Sequence, residues 1–192
     1  MKIQKNMIQP ALFGAALFAA GLLFAAPSAR AQLTDADTAM SAMSPTNFMY
    51  EAAQGGMTEI KLGEIAEKKG TTDAVRDCGT MMVKDHTAIS EDLKSLAGQK
   101  GVTLPPALDK KHQELVDKLS GLPGSEFDDE YLIEMSRAHE RDERAFKKEL
   151  AATSDPTEQA FLTKTIPVIT AHLKHITGLQ KTAVGSTSPQ QK

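Results

Sequence analysis

The sequence has a single cysteine, no tryptophan and few aromatic residues. Because Cys78 is alone, no disulfide can form within the chain, and stability must come from packing or from a bound ion. There is also no run of alternating β-branched residues of the kind that predicts a sheet. Ala, Leu, Met, Lys and Glu are abundant instead, which is typical of a helical protein.

Residues 1–31 are predicted to be a secretory signal peptide. Lys2 and Lys5 precede an apolar run over 11–26, and Ala29-Arg30-Ala31 has the small-x-small pattern of a cleavage site. The apolar run is shorter than the roughly 20 residues of a spanning helix, so no stable membrane insertion is expected after cleavage. A retained anchor stays an alternative. The expected location is therefore outside the cytoplasm, in the periplasm.

The predicted mature chain is acidic. Removing residues 1–31 takes away three of the 22 basic residues and none of the 25 acidic ones, which leaves a net charge of about −6. This charge disfavours nucleic acid as a partner, and no protein partner is indicated. We expect a flexible leader over 32–43, one helical domain over 44–184 and a disordered tail over 185–192.

Apolar residues at spacings of three and four predict four long helices. The expected spans are 45–69, 72–100, 125–153 and 156–183, with a short extra helix over 109–119. The connector between the second and third long helices is long enough to cross from one end of the molecule to the other. The predicted fold is therefore all-α, a ferritin-like antiparallel four-helix bundle with a long crossover between helices 2 and 3.

Each long helix carries one ionisable residue near its midpoint, on its apolar face. These residues are Glu59, His86, His139 and His172, each within about two residues, or roughly 3 Å, of a midpoint. Because a midpoint keeps its height whichever way a helix runs, we expect all four side chains to reach one layer. One carboxylate and three imidazoles suit a divalent transition metal, and the sequence predicts these four as ligands.

Two further residues belong to this predicted site. Asp85 lies next to His86 and can orient a neighbouring imidazole from outside the ligand set. His175 lies three residues after His172 and can share its helical face as an extra ligand.

The same layer also has an interpretation without metal. A buried glutamate is costly alone, and imidazoles offer it partners, so the layer can serve only to fix helix register in an interaction module. The Glu-x-x-His motif of di-iron bundles is absent, since Val83, Ser136 and Ile169 stand three residues before the histidines. No pairing of nucleophile and base is recognisable, which disfavours an enzyme.

Two weaker hypotheses stay open. Cys78, Met82 and His86 are spaced four apart on one helical face, and thiol, thioether and imidazole suit monovalent copper. A methionine stripe is, however, ordinarily packing material. The second hypothesis is a redox enzyme that uses the same centre, with Tyr131, two turns before His139, as a redox neighbour.

Several blocks of the sequence resemble an exported bacterial family, the domain of unknown function 4142. The matching blocks are 47–66, 81–93 with Asp85-His86, 104–105, 124–139 and 166–172. The resemblance implies a ferritin-like four-helix fold and an exported location, and it implies no settled activity. Its characteristic polar positions correspond to Glu59, Asp85, His86, His139 and His172. From the shared height of Glu59, His86, His139 and His172, we expect an exported protein that binds a transition metal, with a role in metal handling or envelope stress.

Overall fold

The computed structural model describes residues 45–186, and this part of the chain is helical with no strand, which confirms the all-α prediction. The helices are α1 (Pro45–Lys69), α2 (Asp73–Lys100), α3 (Lys110–Gly121), α4 (Gly124–Ala152) and α5 (Pro156–Ser186). Their ends lie within three residues of the expected ends. The predicted signal peptide and leader lie outside the described residues, as does the predicted tail beyond residue 186.

Local hydrogen bonds explain where the helices begin and end. Thr72 caps α2 by accepting a hydrogen bond from the backbone N–H of Val75, and Asp109 caps α3 in the same way. Gly101 ends α2 in the left-handed region, with φ 65°. The Asp128 carboxylate, near the start of α4, accepts hydrogen bonds from the backbone N–H and hydroxyl of Thr71. That contact fixes the α1–α2 turn against α4.

Two apolar clusters form the core, and each of the four long helices contributes to both. Cluster A contains Leu62, Ala66, Val75, Cys78, Met82, Val116, Leu119, Phe127, Tyr131, Leu132, Met135 and Ile176. Cluster B contains Phe48, Met49, Ala53, Leu93, Leu96, Ala97, Phe146, Phe161, Leu162 and Ile169. Along every long helix, the predicted polar residue stands between the two clusters.

The order of the clusters along each helix gives the helix directions. The chain runs from cluster B to cluster A in α1 and α5, and from A to B in α2 and α4. Helix α1 packs along α2 and α4 along α5, while α1 also contacts α4 and α2 contacts α5. Val102 and Leu104 pack against cluster B, whereas Leu115 and Leu122 pack against cluster A. The segment that contains α3 therefore crosses from one end of the core to the other.

Helices α1 and α2 come closest at a pair of glycines. A Cβ on Gly63 would lie 2.9 Å from the carbonyl oxygen of Gly79, and a Cβ on Gly79 would lie 2.7 Å from the carbonyl oxygen of Gly63. Only glycine fits at these two positions, because the obstacle in each case is backbone. The close approach sets the spacing of the two helices that carry Glu59 and His86.

Among the described helices, none is both long and apolar enough to span a membrane.

Candidate metal centre

Three histidines from three helices meet between the two apolar clusters. The Nε2 atoms of His86 and His139 are 3.3 Å apart, and the Nε2 atom of His139 is 3.2 Å from the Nδ1 atom of His172. All three ligand atoms lie within 4.8 Å of one another. The three residues are at most 3% exposed, so the cluster is shielded from bulk water.

The other nitrogen of each ring faces a hydrogen-bond acceptor. The Nδ1 atom of His139 is 2.9 Å from the carbonyl oxygen of Met135, which can only accept, so this nitrogen carries the hydrogen. The Nε2 atom of His172 is 3.0 Å from Asp85 Oδ2, and the Nδ1 atom of His86 is 3.0 Å from Glu59 Oε2. In neutral rings held this way, the three converging nitrogens all present lone pairs.

Converging lone pairs repel one another unless a proton or a cation lies between them, and the spacing fits a metal ion. With metal–nitrogen bonds of about 2.0–2.1 Å, tetrahedral geometry puts two ligand nitrogens about 3.3 Å apart. The two closest separations here are 3.3 and 3.2 Å. Asp85 and the carbonyl of Met135 also hold two of the rings by outward hydrogen bonds, as metal-ligating histidines are ordinarily held. Two of the three separations therefore match tetrahedral coordination, and the three histidines could hold a metal ion with one coordination position left over.

Glu59 lies on the outer side of the imidazoles. Its Oε1 atom is 3.3 Å from Nδ1 of His139 and its Oε2 atom is 3.0 Å from Nδ1 of His86, both within ion-pair distance. Neither oxygen has a partner with hydrogen-bonding geometry among the described residues, although the side chain is buried. Glu59 thus faces the outer nitrogens and is absent from the group of clustered ligand atoms.

The ionisable side chains of this layer shift one another's pKa values. Burial raises the pKa of Glu59, but the neighbouring charges of His86 and His139 outweigh it and hold the pKa at about 2. Burial lowers the pKa of His86, but Glu59 outweighs burial and the net pKa is raised. Burial dominates at His139 and His172, and both pKa values are lowered. Without a metal, the layer thus favours a cationic His86, protonated on both nitrogens, and neutral imidazoles at His139 and His172.

Asp142 is a site residue that the sequence analysis missed. It follows His139 by three residues on α4 and is half-buried. Burial, together with the negative charge of Glu59, raises its pKa to about 8. A cavity of about 600 Å³ between α1, α3 and α4 is lined by both carboxylates. The spacing of three residues from His139 is the only signal in the sequence that could have suggested it.

Of the two remaining predicted residues, Asp85 lies next to the histidine cluster and His175 does not. Asp85 lies against His172, where it can orient the ring. His175 is exposed, lines a shallow surface depression with Lys174 and Gly178, and is not among the clustered ligand atoms. Its side chain is on the side of α5 that no described helix covers.

The residues behind the copper and redox hypotheses lie in cluster A. Cys78 and Met82 are fully buried there, and burial raises the pKa of the Cys78 thiol to about 11. The thiol is not among the clustered ligand atoms. Tyr131 is fully buried in the same cluster, and its ring stacks on Phe127 with 5.6 Å between centroids. These positions are those of packing residues.

The chain matches a protein family over most of its length. A protein family described as "Domain of unknown function (DUF4142)" matches residues 29–179. No curated protein and no solved structure matches the chain.

Proposed function

The chain belongs to the family of the domain of unknown function DUF4142, and we propose that it is an exported helical protein that binds one divalent transition-metal ion through His86, His139 and His172. The observation that carries the proposal is the pair of 3.2 and 3.3 Å nitrogen separations in a buried cluster. Each outer nitrogen also faces an acceptor, which leaves the inner nitrogens free to bind.

Glu59 and Asp85 act on the ion through the rings. Asp85 fixes the orientation of His172, and Glu59 supplies a buried negative charge next to His86 and His139. An ion that takes the place of the His86 proton keeps Glu59 partnered with positive charge. Glu59 is therefore an orienting and charge-balancing residue in this proposal, not a direct ligand.

The donor set restricts the ion. Three imidazoles without a thiolate suit zinc, iron, nickel or divalent copper, whereas magnesium and calcium prefer oxygen ligands. The leftover coordination position is where water or another small ligand can bind. A role in metal handling or envelope stress is the function that we assign to such a site.

The finer fold and the location are part of the same proposal. A ferritin-like bundle is supported by two antiparallel helix pairs, by the crossing connector and by polar residues contributed from four helices. An exported, periplasmic location is supported by the signal-like pattern of residues 1–31.

A metal-free layer that fixes helix register is the second candidate. The contact between Glu59 and His86 favours it, because a protonated His86 balances the carboxylate without any ion. The two candidates differ in what happens when metal is added.

The test compares two histidines of α5 that stand three residues apart. Purified protein is stripped with a chelator and titrated separately with zinc, cobalt, nickel, copper, iron and manganese, while bound metal and melting temperature are measured. At about 100 times the dissociation constant, one ion adds about 2.7 kcal/mol. For a domain of this size this corresponds to a rise in Tm of roughly 5–10 °C.

The variant H172A should lose both the bound ion and the rise in Tm, because it removes an inner nitrogen. The matched variant H175A should behave like the unmodified protein, because that imidazole is exposed. If no metal binds and none raises Tm, the metal proposal is wrong and the register-fixing layer remains.

A further inference from the structure

A cavity between α1, α3 and α4 reaches from the protein surface to Glu59 of the buried polar layer. None of the three histidines lines it, but Glu59 is 3.0 Å from His86 and 3.3 Å from His139. The exposed residues Lys111 and Arg141 lie at its outer part, and Glu59, which is 1% exposed, lies at its inner part. Half-buried Asp142 stands between these two levels. The cavity therefore gives the polar layer a connection to solvent on the side where α3 crosses α1 and α4.

Small side chains keep this space open. Ala52 and Gly55 line it from α1, and Ala138 and Ala145 line it from α4. A Cβ on Gly55 would lie 3.7 Å from Asp142 Oδ2, so the glycine leaves room directly in front of the carboxylate. An ion with six waters takes roughly 200 Å³, at about 30 Å³ per water. The cavity of about 600 Å³ is large enough for it.

The charges along the cavity favour a cation. Glu59 lies at its inner end, within ion-pair distance of His86 and His139 but without a partner of hydrogen-bonding geometry among the described residues. Asp142 adds a second carboxyl group, whose proton an incoming cation can displace. Lys111 and Arg141 also line the cavity, but Glu51 and Glu134 do too, so carboxyl groups outnumber basic side chains by four to two. An excess of one sign between apolar walls concentrates ions of the opposite sign. Phe48, Leu115 and Phe146 supply the apolar walls.

We propose that this cavity is the route by which a divalent cation reaches the histidine cluster, and that the Asp142 carboxyl group first binds the hydrated ion, giving up its proton to solvent as it does so. The inference depends on the proposed function, since it needs a metal that binds at the histidines. It assigns Asp142 to the rate of uptake and not to the final ligand set.

Stopped-flow loading tests this role. Chelator-stripped protein is mixed with zinc or cobalt to measure uptake, and loaded protein is mixed with excess chelator to measure release. D142N should slow uptake and release by the same factor, about tenfold, at the low end of the roughly 10- to 1000-fold effect of such clefts. Stoichiometry and equilibrium affinity should stay the same, because the ligands are unchanged.

Two further variants separate the route from general charge effects. G55L fills the space in front of Asp142 without removing a carboxylate, and it should also slow both steps. It keeps the test decisive if D142N does not fold. E140Q removes one exposed carboxylate from the same helix outside the cavity, and its rates should stay within about twofold of the unmodified protein.

The outcomes are distinguishable. Slower uptake in D142N and G55L but not in E140Q supports the route. Unchanged rates in both cavity variants overturn it while metal binding stands, and they point to an approach past Asp85, whose side chain is 31% exposed. A lower stoichiometry in D142N also overturns it, because Asp142 would then be a ligand. If the unmodified protein takes up no metal, this inference and the proposed function fail together.

Discussion

Replacing Asp142 with asparagine should change how the metal-free protein responds to pH. Burial and the charge of Glu59 raise the pKa of Asp142 from 3.8 to about 8. Between these values the folded state holds a proton that the unfolded state releases. The stabilising contribution is therefore complete below the unfolded pKa and is lost as pH rises towards the folded one. Asparagine does not titrate, so the variant D142N lacks this dependence.

The expected size follows from the difference between the two pKa values. Each pH unit between them costs about 1.4 kcal/mol, which gives about 4 kcal/mol between pH 4 and pH 7. Because Asp142 and Glu59 interact, we expect a measured change of about 2 to 4 kcal/mol. That is a large part of a typical free energy of unfolding of about 5–15 kcal/mol. A buried amide adds a cost of its own, but that cost does not vary with pH.

Urea unfolding in the presence of a chelator measures this effect. The free energy of unfolding of D142N, minus that of the unmodified protein, should rise steadily from about pH 4.5 to about pH 7.5. The matched variant E140Q should give a difference that stays flat, because that carboxylate is exposed. A flat difference for D142N as well would refute the assignment of Asp142 as a half-buried acid that keeps its proton.

Two more predictions concern the polar layer and the helix crossing. Burial lowers the pKa of His86, but Glu59 raises it by more, so zinc must displace a proton from His86 over the pH range in which this residue is protonated. In that range, the zinc affinity measured by calorimetric titration should rise up to tenfold per pH unit. An affinity that does not change with pH would contradict this prediction. G63A should lower the free energy of unfolding by about 1–3 kcal/mol, because the new Cβ would lie 2.9 Å from a backbone oxygen of α2. In contrast, a Cβ on Gly98 has no described atom within 4 Å, so G98A should raise the free energy of unfolding by about 0.5–1 kcal/mol. Equal changes in G63A and G98A would refute the steric argument.

Local signals explain why the helices could be predicted well. Thr72 and Gly101 mark the ends of α2, and each works through contacts within a few residues of itself. The mid-helix positions of the four polar residues were likewise visible in the sequence, because spacing along a helix converts directly into height.

Contacts with neighbouring helices could not be read in this way. Asp142 and His175 each follow a cluster histidine by three residues, yet α3 covers the side of α4 that carries Asp142, and no described helix covers His175. The buried face of α5 passes from His172 to Ile176, which is fully buried, and leaves His175 exposed. Which ring nitrogen of His139 faces the cluster depends on the carbonyl of Met135, to which the other nitrogen donates a hydrogen bond. No pattern of side chains in the sequence reveals that contact.

The polar layer draws on both halves of the molecule, since Glu59 and His86 come from the first pair of long helices and His139 and His172 from the second. An ion held there would fasten the two halves together, much as a disulfide does in proteins that have a second cysteine, but a chelator could undo it. Since His172 lies on α5, a ribosome must have made the chain as far as α5 before the two halves can be joined in this way. Metal content would then mark molecules in which the four long helices have been made and packed together.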